Sequence, residues 1–434
     1  MGNRRDGACG RMRVSRENVA YLALEGGGGK GVAYLGAIRA LETMKILPID
    51  INQPGKNRVL GISGSSAGAI TALLLGLGLT SSQLEAVLQQ SSTFNGFFDG
   101  PDPGRYRLVD SRGRSGIGGK SRQGGLDPVK VSARLGMVPA PYGPALAIPA
   151  AIVNLVLSQL PPALGRPIRN APREYLDNLL KDRGLFPGFA SRQFFQDMLT
   201  RYLSPRIVAR ARGDAKKVYS AASVGFAKFY ELTGVDLVIT GVNVSTARPA
   251  MFSRRLTPDF PVADAVSISM GLPVIFKPAY VDVEVPVNAF NKDPLAYRGF
   301  WVDGGVLNNL PIHAFDANFM DEAKAGSFTE ELNPQMVALR LTPGFPPGSG
   351  PPTAVDPDSI GLSAFLGMFG DAILYPSESG QLRTAGEAEQ TIDLYTYKLE
   401  TTDFAPPKEK SEPAIKYAEQ RVLQDFNPGT GGLN

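Results

Sequence analysis

VLGISGSSAGAITALLLGLG, residues 59–78, holds a short apolar strand, a Gly/Ser turn and an Ala/Leu-rich helix in immediate succession. The strand is Val59 to Ile62, and the helix covers about 67–78. The arrangement also occurs upstream. Val19 to Glu25 (VAYLALE) is an apolar strand, 26–31 (GGGGKG) a glycine turn, and Val32, Leu35, Ile38 and Leu41 mark one face of a helix. Thr80 and Gln83 frame a capping box for a helix through about Gln90. Downstream, Asp236 to Val244 and Gln335 to Leu341 read as strands, and Phe300 to Val302 leads into DGGVLNN at 303–309. Pro311 suits the first turn of a helix that would carry His313. This strand–turn–helix rhythm predicts an α/β fold on parallel strands.

The residue inventory narrows the chemistry. Among 434 residues there are one His, one Cys and one Trp. A lone Cys excludes an internal disulfide and a thiolate zinc site, and one His excludes a His-clustered metal site. Ser-His-Asp or Cys-His catalysis would have to run through His313. The composition, 43% hydrophobic and 20% charged, is that of a globular protein with a sizeable core. The net charge of +4 equals the local excess of residues 1–16, where Arg4, Arg5, Arg11, Arg13 and Arg16 face only Asp6. The basic pI thus describes a tail, solvated or drawn to an anionic membrane surface, and no nucleic-acid partner is expected of the body. No apolar signal-peptide core is visible in the first residues.

Four segments follow from composition: a basic tail over 1–17, a main domain over 18–342, a Pro/Gly linker over 343–357 and an extension over 358–434. Within the main domain, 99–170 reads as an insertion that opens with a Gly/Arg/Ser-rich loop over 99–125. Ala145 to Leu160 is its most apolar run, yet its 16 residues fall short of the ~20 a bilayer span needs. It is either a buried helix or a segment that meets lipid. The extension has a helical pattern at Ile360 to Leu374, a strand at Thr391 to Leu399 and an amphipathic helix at Ala414 to Phe426.

Three motifs carry chemistry. Gly64-Ser65-Ser66-Ala67-Gly68 is a G-x-S-x-G pattern between strand and helix, which centres Ser66 on a tight elbow with its hydroxyl presented. The run Gly26 to Gly31 fits two readings. As Gly26-x-Gly28-x-x-Gly31, with Asp50 further on, it matches a dinucleotide turn. As consecutive glycines before a helix it forms an oxyanion hole from backbone amides. Asp303-Gly304-Gly305 is either a plain turn or a carboxylate placed to act as general base on a serine. His313 reads as a packed or surface residue of the helix after Asp303, so that, with Ser66 as nucleophile, a carboxylate base at Asp303 is the economical alternative.

LEGGGGKG, GISGSSAG and DGGVLNNLP, in that order, resemble the patatin-like phospholipase family, and VSISMGLPVIFKP at 266–278 is similar to a further family segment. The resemblance covers about 18–342. It implies a three-layer, modified α/β-hydrolase sheet with a helical insertion and a C-terminal extension. It also implies a serine–aspartate dyad of Ser66 and Asp303, with an oxyanion hole at Gly27, Gly28 and Gly29. Lys30 is then the family's basic residue, and Gly26, Gly31, Gly64, Gly68, Gly304 and Gly305 belong to the motifs.

The expected activity is acyl-ester hydrolysis of the phospholipase A or lysophospholipase kind, without metal or cofactor. A neutral-lipid lipase or transacylase would use the same dyad, and a nucleotide-dependent oxidoreductase would leave it idle. Expected partners are a phospholipid or other lipid ester and a peripheral membrane surface. A protein activator or a second copy would bind through 99–170 or 358–434. The expected location is cytoplasmic or membrane-peripheral, with export as an effector by a non-Sec route as the alternative.

Overall fold

A computed structural model describes residues 14–88, 96–100, 106–109, 115–118, 175, 178–179, 182–325, 327, 332–349, 384–401 and 405–427. The apolar run at Ala145 to Leu160 and the helical pattern at Ile360 to Leu374 lie outside them.

Among the described residues a ten-stranded sheet forms the centre. Its parallel half comprises β1 (Tyr21–Leu24), β2 (Gly61–Gly64) and β6 (Asp236–Asn243), with β11 (Met336–Thr342) and β12 (Thr391–Tyr395). These lie in the order β12-β11-β1-β2-β6. The other half is mixed. β10 (Gly299–Asp303) runs antiparallel to β6 and to β9 (Ala279–Val281), and β7 (Arg248–Phe252) also pairs antiparallel with β6. The edge is a hairpin of β3 (Tyr106–Val109) and β4 (Ser115–Gly118). Parallel strands alone are therefore a partial description, and the expected loop at 99–125 contains a two-stranded addition to the sheet. β5 (Gly184–Phe186) and β8 (Val274–Phe276) make a separate parallel pair.

The described helices are α1 (Tyr34–Thr43), α2 (Ala67–Gly76), α3 (Ser81–Leu88), α4 (Phe189–Ala211), α5 (Phe226–Thr233), α6 (Val262–Ser269), α7 (Ala317–Met320), α8 (Ala385–Glu389) and α9 (Lys408–Phe426). Side chains on a strand alternate between faces. On β1, Leu22 and Leu24 join the large core with α1, α2 and α6, while Ala23 joins a smaller cluster with Leu310, Ile312 and Phe315 on the other face. α2 is buried nearly all round, as its unbroken AITALLL run requires. The continuous helix expected after Pro311 is replaced by turns through His313 and the one-turn α7.

The C-terminal residues build into the same body. β12 extends the sheet beside β11, and α9 lies against α1 so closely that a Cβ on Gly36 would strike the Ile415 carbonyl. The strand is shorter than expected, since Tyr397 leaves it to bridge Gly344, and the helix begins at Lys408, six residues before Ala414.

Candidate active site

Sheet register brings the serine and the aspartate level. Gly64 on β2 pairs with Ile239 on β6, and Gly241 on β6 pairs with Asp303 on β10. β2 thus opens into the Ser66 elbow at the edge of β6 where β10 ends at Asp303, which places the Ser66 hydroxyl within reach of the Asp303 carboxyl.

Ser66 occupies the elbow that the glycine spacing demanded. Its φ of 48° and ψ of −118° lie outside the regions a non-glycine residue ordinarily uses, at a cost of about 1–3 kcal/mol. The surrounding chain enforces this. A Cβ on Gly68 would lie 2.2 Å from the Leu24 carbonyl oxygen, and one on Gly64 2.3 Å from that of Gly68. On the neighbouring loop, a Cβ on Gly26 would stand 2.9 Å from Ser66 Cβ and one on Gly31 2.9 Å from Ala67 Cβ. These four motif glycines let β1, the elbow and α2 close on one another.

Asp303 ends β10 and is buried. Its Oδ1 accepts the Gly305 amide at 2.7 Å, and its Oδ2 is buried with no hydrogen-bond partner among the described residues. Burial raises its carboxyl from near 3.8 to about 7; the Gly305 amide and the nearby Ser66 hydroxyl pull the other way. Gly304 is required because any side chain would meet Thr240 on β6.

The glycine loop becomes a 3-10 turn over Gly28–Ala33, with Lys30 half-buried on it. Gly28 has φ +53°, and a Cβ there would stand 2.1 Å from the Thr401 carbonyl oxygen. The same carbonyl accepts the Gly29 amide at 2.9 Å. Of the three amides expected to converge, that of Gly29 is therefore engaged. Those of Gly27 and Gly28 have no partner among the described residues. The Thr401 carbonyl also occupies the space over Gly28 that a dinucleotide pyrophosphate would need, and Asp50 merely caps the turn at Asn52. The dinucleotide reading of 26–31 therefore fails sterically.

A pocket opens over Ser66, lined largely by Val32, Ile70, Phe97, Phe98, Met270 and Leu272. Pro406 adds a wall from the C-terminal segment. Its walls are mostly apolar side chains. No group of three or more His, Cys, Asp or Glu side chains that could hold a metal ion occurs among the described residues. No described helix is long and apolar enough to cross a membrane.

His313 lies in a different cluster. Its Nδ1 is 2.6 Å from Asp316 and its Nε2 2.7 Å from Glu387, both buried carboxylates. The Asp316 hydrogen bond leads in raising its pKa above the ordinary 6.5, with burial opposing. Thr401, Phe97 and Phe98 were not legible as site residues, because contact across the fold, and no local pattern, puts them there.

A family model described as patatin-like phospholipase matches residues 22–316. Over 90 residues the chain is 29% identical to the probable lipid hydrolase 463L of Invertebrate iridescent virus 6, a match spanning 21% of this chain and 26% of that protein. Among solved structures it resembles VipD from Legionella pneumophila, with TM-score 0.45, 16% identity, and coverage of 99% of this chain and 72% of that one. It also resembles the heterodimeric ExoU–SpcU complex of the Pseudomonas aeruginosa type III secretion system. There the TM-score is 0.41, the identity 18%, and the coverage 95% of this chain and 52% of the other.

Proposed function

We propose, since the chain belongs to the patatin-like phospholipase family, that it is a lipid acyl hydrolase of the phospholipase A or lysophospholipase kind, with Ser66 as nucleophile and Asp303 as general base. The observation that carries this reading is the buried Oδ2 of Asp303, with no hydrogen-bond partner among the described residues, near the strained Ser66 elbow and an apolar pocket.

In this mechanism Asp303 takes the Ser66 proton as Oγ attacks the ester carbonyl carbon. The Gly27 and Gly28 amides, with that of Ala67 at the start of α2, face the resulting oxyanion, each donor worth about 3 kcal/mol of barrier. Asp303 returns the proton to the departing alkoxide, which leaves as an alcohol. A water molecule then attacks the acyl-enzyme, with Asp303 again as base, and releases the fatty acid. A base with a pKa near the working pH is suited to moving a proton in both directions.

The test uses a fluorophosphonate probe together with fatty-acid release from phospholipid vesicles. Labelling and release should both vanish in Ser66→Ala, and Asp303→Asn should fall by ~10²–10⁴-fold. Labelling that persists in Ser66→Ala would remove the nucleophile. Turnover lost in His313→Ala and kept in Asp303→Asn would remove the base.

A further inference from the structure

The strained elbow raises the question of what holds the backbone of Ser66 in place. Its amide donates to the hydroxyl of Ser269 at 3.0 Å. Ser269 is the last residue of α6 and is fully buried. Two residues on, the Gly271 carbonyl accepts the amide of Asp303 at 3.0 Å. Between and beside these two anchors, Met270 and Leu272 line the pocket over Ser66.

One short stretch, 269–272, thus touches the nucleophile's amide, the base's amide and the wall of the acyl pocket. The far end of α6 is fixed too. Asp264, in its first turn, is clamped by Arg192 of α4 through Nε at 2.8 Å and Nη2 at 3.4 Å. The helix is therefore held at one end and holds the site at the other.

We infer that Ser269 is a positioning residue, whose hydroxyl pins the Ser66 elbow and, with the Gly271 carbonyl, sets the distance between Ser66 and Asp303. This rests on the reading of those two residues as nucleophile and base. The physical reason is direct. Without the Ser269 oxygen the Ser66 amide is a buried donor with no acceptor. The elbow then relaxes toward an ordinary φ, and Oγ moves off the line between Asp303 and the ester carbon. A displacement on the order of 1 Å at a reacting atom is enough for about a hundredfold loss of rate.

The experiment compares wild type, Ser269→Ala, Ser269→Cys and Ser267→Ala, measuring the rate of fluorophosphonate labelling, kcat and KM on a short-chain ester, and Tm. Ser267 lies on the same helix, is equally hidden from solvent and meets Ser191 and not Ser66, so its variant controls for a hole in α6. Ser269→Ala should lower kcat and the labelling rate together by about ten- to a hundredfold, with KM within about twofold of wild type. Ser269→Cys, which keeps a weak acceptor, should recover part of the loss, and Ser267→Ala should label at the wild-type rate. Equal labelling by Ser269→Ala and wild type overturns the inference, as does an equal loss in the two alanine variants. Peptide mapping of the labelled wild type separates this from the parent reading. A label on any residue other than Ser66 removes both, and a label on Ser66 with an unchanged rate in Ser269→Ala removes the positioning role alone.

Discussion

Asp264 and Asp303 lie on elements that pack together, α6 and β10, and both are out of contact with solvent. Their surroundings are otherwise opposite. Asp264 has a guanidinium on both oxygens, while Asp303 has one backbone amide on one oxygen and, among the described residues, no cation. The fold evidently can deliver an arginine to a buried carboxylate in this region, since it does so at Asp264. At Asp303 it withholds one, and the carboxyl is left near neutrality with an oxygen free for a proton. The saturated aspartate suits a structural role, and the one short of partners suits the general-base role proposed for it.

The sharpest way to break this contrast is to neutralise Asp303. The native Asp303 holds its proton up to about pH 7, whereas in an unfolded chain it would release it near 3.8. Between those values the native state loses ground as pH rises, and above 7 the cost of a buried charge stands in full. Asp303→Asn, besides its loss of turnover, should therefore melt above wild type at pH 8 and level with it at pH 3. Wild-type kcat should climb as pH passes through about 7. A variant that melts lower at pH 8, or a kcat flat across that range, would show that Asp303 is not under strain.

Asp264→Ala is the mirror experiment. It leaves Arg192 partly buried without its carboxylate and should cost about 2–4 kcal/mol in chemical denaturation. The molecules that remain folded should keep most of their kcat. A loss of kcat out of proportion to the folded fraction would mean that α6 transmits the anchor's state to Ser66.

The smallest effect belongs to a third kind of cluster, in which His313 lies between Asp316 and Glu387. Its pKa is raised, so its contribution to stability is present below about 6.5 and fades as pH rises through the elevated value. His313→Gln should lower Tm more at pH 6 than at pH 9, with kcat unchanged. An effect that grows with pH would contradict the ion-pair role.

What could be read ahead of the structure divides along the same line. The three motifs were legible because local backbone geometry dictates them. An elbow at positive φ needs Gly64 and Gly68 at fixed offsets, and the Asp303 turn needs Gly304 against Thr240. β1, β6 and β11 were legible as short apolar runs, whereas the strand expected at Val59–Ile62 lies two residues later, at Gly61–Gly64, because it runs into the elbow itself. The β3–β4 hairpin was not, since YRLV and SGIG sit in Gly/Arg-rich sequence and become strands through pairing, β3 with β9 and β4 with β3. His313 lost its helix because LPIHAF packs as a turn on the thinly covered face, with Ile312 and Phe315 inward. Ser269 and Thr401 are defined by partners hundreds of residues away, 203 in the case of Ser269. No window along the chain contains that information.

The grip of the Thr401 carbonyl on the glycine loop has a consequence in time. A ribosome making this chain delivers Ser66 early and Asp303 much later. The carbonyl that braces Gly28 and Gly29 comes later still, followed by α9, which seats against Gly36. Until those segments emerge, the glycine loop lacks its Thr401 brace, and β12 is missing from beside β11. A chain made only as far as Asp303 would thus hold all three motifs and still lack the contact that braces the first of them. The described shape of the loop is available only once Thr401 has been made.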